Sequence, residues 1–342
     1  MSNNKTTNLS FSIISKYRSF LMGLSILSII FFHYTEDCVI NSYNLKPLIT
    51  YYKTYIGSCG VDIFLFLSGV GLYYSFKKKP DISSFFKKRF SRILIPYALV
   101  ALPAWFIKDF LIDHSGAVQF LKDFLFITFF ENGSKWFWYI LMISVCYIIF
   151  PYLFDYIDSG NSISKMINIF TFITVVAMIF NLYSADFFSK TNIALLRFPA
   201  FFLGCFIGKA SYNNEKIPKE ASIVPILAIL LLPLRKTSKT LLSRYILGLF
   251  GITLFVCIAI FMELLNRKTT KTIPLQKLVE WFGKYSLELY LTHVALRDIL
   301  NFINIPTYRI RHYCLLIILS LIYSIIIKFL TNTIHKKIGA NE

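Results

Sequence analysis

The 342-residue chain is 56% hydrophobic and 18% aromatic, with a mean hydropathy of +0.60. That excludes a string of soluble domains and implies a polytopic membrane protein. A net charge of +18 would suggest nucleic acid in a soluble chain. Here Lys and Arg gather in loops between apolar spans, as positive-inside topology and anionic headgroups require, so the expected partner is the lipid bilayer and no nucleic acid.

Lipid admits only helices or closed barrels, and these apolar runs lack period-two alternation, so the fold class is all-α. Counting spans of about 20 residues gives about ten transmembrane helices, near 18–35, 59–76, 91–112, 136–155, 165–184, 194–209, 221–235, 245–265, 284–304 and 313–334. The first is long enough to stay as a helix and lacks a small-residue cleavage pattern, so no removable signal peptide is expected. Residues 60–97, GVDIFLFLSGVGLYYSFKKKPDISSFFKKRFSRILIPY, read as a transmembrane hairpin. Its connecting loop, with Lys77, Lys78, Lys79, Lys87, Lys88, Arg89 and Arg92, belongs on the cytoplasmic side, which puts both termini inside. Arg235, Lys236, Lys239 and Arg244 then fall outside, so either a helix is miscounted there or that basic loop meets an anionic ligand. The six cysteines show no C-x-x-C spacing and read as small core residues, with no metal site expected; only Cys38 and Cys59 could share an external loop. No internal repeat is evident and no extra soluble domain is expected, so any chemistry lies among the helices.

Ionisable groups inside apolar spans are costly and usually mark a site. On the first span Met22, Ile26, Ile29 and His33 share one face, with Arg18 one turn nearer the cytoplasm. Fifteen residues put His33 about 22 Å beyond Arg18 along the axis. An imidazole at that depth serves proton transfer or a buried hydrogen bond. Asp62, a few residues into the second span, stands at similar depth, and a His33–Asp62 dyad would fix the ring tautomer as a general base needs; the competing reading makes Asp62 a hydrated interfacial charge. On the ninth span Ser286, Tyr290, His293 and Arg297 form one polar stripe, expected to line a cavity or a hydrogen-bonded helix interface. Arg197 enters the sixth span from the outer side as a further candidate for the cavity wall. Arg89 and Arg92, at i, i+3, suit bidentate contact with phosphates better than the neighbouring lysines do.

At this point the motifs resemble a family. MGLSILSIIFFH, GVDIFLFLSG, FFKKRFSRILIPY, WFWYILMISVCYIIFP (opening at Trp136), RFPAFFLGCFIGK and GKYSLELYLTH occur in the order found in the acyltransferase-3 family of integral-membrane O-acyltransferases. The resemblance runs almost end to end and implies one transmembrane acyltransferase domain over residues 1–342. Such enzymes move an acyl group, commonly acetyl, from cytoplasmic acyl-CoA to a hydroxyl of an envelope or exopolysaccharide glycan, free or lipid-linked, in the bacterial plasma membrane. No bound cofactor is implied; acyl-CoA is a co-substrate. By resemblance His33 is the catalytic histidine, Arg89 and Arg92 match the family's pair at the cytoplasmic face, and Ser286, Tyr290 and His293 match its stretch near the end. Joined to the reading of the residues, this gives His33, Asp62, His293 and Tyr290 as expected catalytic residues, Arg89, Arg92 and Arg18 as expected donor-binding residues, and Arg197, Ser286 and Trp136 as expected acceptor-binding residues. Many members carry Arg or Lys eleven residues before the histidine, where this chain has Met22; Arg18 is one turn earlier. Some members also carry a fused hydrolase-like domain that takes over the acyl group, and its absence from this chain implies direct transfer to the acceptor. The rival readings are a transporter or flippase for a glycan or lipid-linked precursor, a different membrane acyltransferase fold dependent on a late histidine such as His293, and a silent scaffold of envelope assembly.

Overall fold

The computed structural model describes residues 9–43, 46–236, 240–268 and 274–337. Among them there is no strand, only one bridge pairing Ser10 with Lys216. The principal helices, in order, are α1 (Arg18–Ile40), α2 (Gly60–Lys78), α3 (Ile82–Phe106), α4 (Trp138–Asp158), α5 (Ser162–Tyr183), α6 (Phe198–Tyr212), α7 (Ile223–Leu231), α8 (Thr240–Lys268), α9 (Ser286–Phe302) and α10 (Ile310–Lys337). The all-α expectation holds, with each expected span represented by a helix. Eight helical segments are long and apolar enough to cross a bilayer. The other two expected spans fall short. α7 has nine residues prolonged by a 3₁₀ turn to Lys236, and α9 has 17, with its polar stripe turned into the bundle.

Local chemistry accounts for most boundaries. α3 starts at Ile82 rather than near 91, because the Asp81 side chain accepts the Ser84 amide at 2.9 Å and caps the helix. The Ser84 hydroxyl and amide also hold the Asp81 carboxyl below its usual range. The basic block FFKKRFSR is thus helical, and Arg89 and Arg92 rise one turn apart from its surface. Farther on, α3 carries Pro96 and Pro103 and then widens into a π-helical turn over Ile107–Ile112; each proline removes a backbone donor, which loosens the ladder locally. A strongly amphipathic helix, Pro274–Lys284, precedes α9 and was not among the expected spans, since its apolar face is too narrow to read as a crossing.

Glycines set how closely the helices approach. A Cβ added to Gly69 of α2 would stand 2.3 Å from the Phe201 carbonyl oxygen, and one on Gly204 of α6 would stand 2.0 Å from that of Phe66. The two backbones therefore touch. Gly204 and Gly208 stand at G-x-x-x-G spacing, a signal for close helix contact that the chain-order reading misses. Gly23 on α1 and Gly283 make a second such contact, each 1.9 Å by the same construction from a backbone oxygen of the opposing helix, Val279 and Ser19 respectively.

Contacts between distant residues define two faces of the bundle. At one, Lys16 and Tyr17 bond Glu263 near the end of α8. At the other, Arg244 near the start of α8 bonds Asp62 near the start of α2. Arg244 is therefore part of a helix, turned inward, and not a loop charge as its position in the chain suggested. Arg235, 5.7 Å over the Tyr55 ring, lies at the same face, while Lys239 lies outside the described residues. The chain from Lys216 to Arg235 thus passes between faces on α7 and its short flanks, about the thickness of the hydrocarbon core at best. The six cysteines are free, Cys38 and Cys59 included.

Replacing Gly204 with Leu is expected to force α2 and α6 apart and cost about 1–3 kcal/mol. A lower melting temperature of the detergent-purified protein checks it, and an unchanged one contradicts the backbone contact.

Candidate active site

α1 and α9 run side by side in the same direction, and the helical repeat does the rest. His33 and His293 stack face to face, ring centroids 5.3 Å apart and planes within 3°. Tyr313 of α10 closes the group: its hydroxyl donates to the Ile30 carbonyl, so its oxygen is left to accept from His293 Nε2 at 3.3 Å. With the proton on Nε2, His293 keeps its lone pair on Nδ1. Neither His33 Nδ1 nor His293 Nδ1 has a hydrogen-bond partner among the described residues, a pattern that buried polar atoms seldom show without a role. His293 is fully buried and His33 only half so.

One turn outward, Arg297 donates from Nε to both Asp37 oxygens at 3.0 Å and from Nη2 at 2.5 Å. Thr307 donates to the same carboxylate at 2.5 Å and also bonds Asn301. Glu36 adds a looser ion pair at 3.7 Å. This buried network ties the outer ends of α1 and α9 together and so holds the stacked rings in register. Asp37, Tyr313 and Thr307 were not singled out from the sequence. For Asp37 a signal existed: it stands four residues after His33, on the same face of the same helix.

The expected dyad does not form. Asp62 bonds Arg244 and stands 3.7 Å from Arg197, so its carboxylate is committed to two guanidinium groups and not to His33. Level along the axis differs as well as lateral neighbour: Gly60 of α2 packs against Ser25 and Ile29 of α1, which places Asp62 about two turns from His33. Arg197 belongs to this second cluster. It donates to the Ile193 carbonyl at 2.5 Å and lies 5.0 Å over the Trp138 ring.

At the opposite face the expected cations do converge. Arg18, Arg89, Arg92, Lys78 and Lys88 line a recess of about 240 Å³ with Gly71, Tyr74 and Ser75, and no carboxylate among them. Arg89 is 7% exposed and its Nε has no partner among the described residues. Arg18 donates to the Leu67 carbonyl at 3.1 Å. Gly71 makes that possible, since a Cβ there would stand 2.8 Å from the Arg18 guanidinium. Arg18 thereby reaches the same recess as Arg89 and Arg92. Five cations share this recess with no carboxylate among its lining residues.

The α9 stripe connects the two levels. Ser286 opens α9 just past the contact of Gly283 with Ser19 of α1, Tyr290 packs against Tyr139 at 5.5 Å, and His293 meets His33. Ile26 and Ile29, between the recess and the imidazoles on α1, are 0% and 3% exposed. That stretch of α1 is therefore packed against its neighbours. Trp136 stacks on Trp105 at 4.4 Å and reaches Phe302 at the outer end of α9.

A helical membrane protein with an unpaired cationic recess at one face and open imidazole nitrogens across the bilayer has the make-up of an intramembrane group-transfer enzyme. Comparison with family models agrees: the acyltransferase-3 model, described as an acyltransferase domain, matches residues 20–329. The chain belongs to that family and is a membrane acyltransferase. Comparisons with curated proteins and with solved structures returned no match.

Removing one partner of a buried pair strands the other. Arg297→Ala is expected to destabilise the protein by about 3–5 kcal/mol. The double change Asp37→Asn with Arg297→Gln should recover much of that loss in a detergent melting series; additive losses would mean the pair does not carry the junction.

Proposed function

We propose that this acyltransferase takes its acyl group from acyl-CoA at the arginine recess and delivers it to a hydroxyl of an envelope or exopolysaccharide glycan arriving from the opposite face. The observation that carries the reading is the recess itself, five cations and no carboxylate in about 240 Å³. The phosphates of a coenzyme A supply matching charge, and guanidinium groups grip phosphate oxygens two at a time. The thioester arm then enters along the face of α1 and the α9 stripe, where apolar walls keep water from hydrolysing it.

In the proposed step His33 removes the proton from the acceptor hydroxyl as the oxygen attacks the thioester carbonyl. The tetrahedral oxyanion collapses, the carbon–sulfur bond breaks, and the thiolate recovers the proton from the imidazolium. Tyr290, one turn from His293 on the same face, is the proposed hydroxyl donor to the oxyanion. His293, with Nε2–H held by Tyr313, keeps Nδ1 as an acceptor beside His33 and can orient the acceptor through a second, non-reacting hydroxyl. Acetyl is the proposed acyl group. The proposed setting is the bacterial plasma membrane, with the recess and both termini cytoplasmic, as the excess of Lys and Arg around the recess favours.

His33→Ala is expected to abolish transfer from radiolabelled acetyl-CoA in detergent micelles while leaving the melting curve in place. Near-normal turnover in that variant would remove His33 from the chemistry. Gly71→Val is expected to displace Arg18 and raise the KM for acetyl-CoA roughly tenfold with little change in kcat, because it removes a ground-state contact with a charged group. A drop confined to kcat would contradict that role.

A further inference from the structure

The five cations of the recess are not equivalent. Arg89 is 7% exposed, and Arg18 is half-buried, its guanidinium reaching in beside Gly71 to bond the Leu67 carbonyl at 3.1 Å. These two form an inner tier. Lys78, the last residue of α2, and Lys88 and Arg92 of α3 line the same recess with exposed side chains. They form an outer tier. Arg89 and Arg92 both stand close enough to repel Arg18, so the tiers are one electrostatic unit.

The acids of the neighbourhood are engaged elsewhere. Asp158 accepts from Lys77 at 2.7 Å and from Tyr73, and Asp81 caps α3 through the Ser84 amide. Neither reaches the lining of the recess. Of two successive lysines, Lys77 is therefore neutralised by a carboxylate while Lys78 is turned to the recess, a distinction that membrane topology alone does not require.

Coenzyme A presents its anionic groups in a fixed order: the thioester arm leads to a diphosphate, and the diphosphate to a ribose that bears a 3′-phosphate. With the arm directed into the bundle, the diphosphate comes to the buried tier and the 3′-phosphate to the exposed one. A phosphate monoester carries about −1.5 to −2 charges near neutral pH. Lysine meets such a group as a mobile point charge, whereas a guanidinium grips two oxygens at fixed angles.

We propose that Lys78, Lys88 and Arg92 read the ribose 3′-phosphate of the donor while Arg18 and Arg89 hold its diphosphate, so that the recess selects 3′-phosphorylated coenzyme A thioesters. The proposal rests on the recess being the acyl-CoA site, and it gives a ligand to two lysines that the sequence pattern assigns to topology alone.

The test is isothermal titration of the detergent-purified full-length protein, at one fixed ionic strength, with coenzyme A and with dephospho-coenzyme A, which lacks only the 3′-phosphate. The unsubstituted protein is expected to bind the dephospho ligand about tenfold more weakly, the effect of losing charge-assisted hydrogen bonds. K78Q combined with K88Q should weaken coenzyme A to the level of the dephospho ligand, bringing the ratio of the two Kd values close to one. R89Q should weaken both ligands by the same factor and preserve the ratio. Equal Kd values in the unsubstituted protein would overturn the 3′-phosphate contact, and that comparison needs no substitution to fold. A ratio preserved in the lysine variant would remove Lys78 and Lys88 from the site, and a ratio lost in R89Q would overturn the division into tiers. Binding of neither ligand would instead contradict the acyl-CoA reading itself.

Discussion

A charge in hydrocarbon must meet a counter-charge, a backbone dipole or a ligand, since leaving it alone costs several kcal/mol. Much of this bundle follows from that constraint. Asp37 and Arg297 join α1 to α9, Asp62 with Arg244 joins α2 to α8, Glu263 joins α8 to Lys16 and Tyr17, and Lys328 reaches Glu288 at 3.1 Å between α10 and α9. Each pair links segments far apart in the chain, so the charges act as specific latches between helices whose apolar faces alone would pack in many ways. Where the tally of charges does not balance, something outside the chain is implied. One such place among the described residues is the recess around Arg18, Arg89 and Arg92, whose lining holds no carboxylate.

Glycine supplies the complementary requirement. Lipid gives no hydrophobic drive for helices to associate, so backbones gain by approaching closely and packing against each other. Gly69 with Gly204, and Gly23 with Gly283, bring α2, α6, α1 and the amphipathic helix into direct backbone contact. A Cβ on Gly60 of α2 would stand 3.0 Å from the Ser25 carbonyl oxygen of α1, so the position of α1 is set from two sides, and both Arg18 and His33 ride on it. Gly71 acts at the same scale, giving the Arg18 guanidinium the room in which it bonds Leu67.

The family assignment and the geometry divide the explanation between them. Membership states the class of reaction. Geometry adds which atoms are free: the two Nδ1 atoms of the stacked imidazoles, with Tyr313 fixing the proton on the far side of one ring. That arrangement rests on Ile30 accepting the tyrosine hydroxyl and on Asp37 holding Arg297 one turn away. None of these residues has to touch a substrate to matter.

Hydropathy, charge and the 3.6-residue repeat are local properties, and from them the sequence alone determined an all-α membrane protein, the polar stripe of α9 and the gathering of cations at Arg89 and Arg92. Lateral neighbours are not local, because they depend on which helix faces press together. Only the tertiary structure could replace the expected His33–Asp62 dyad with His33 on His293 and Asp62 on Arg244, a residue that the chain order had left in a loop. It also reduced two expected spans to helices of nine and 17 residues. Side chains of equal depth on different helices look alike in sequence, and backbone contact at a few glycines decides which of them meet.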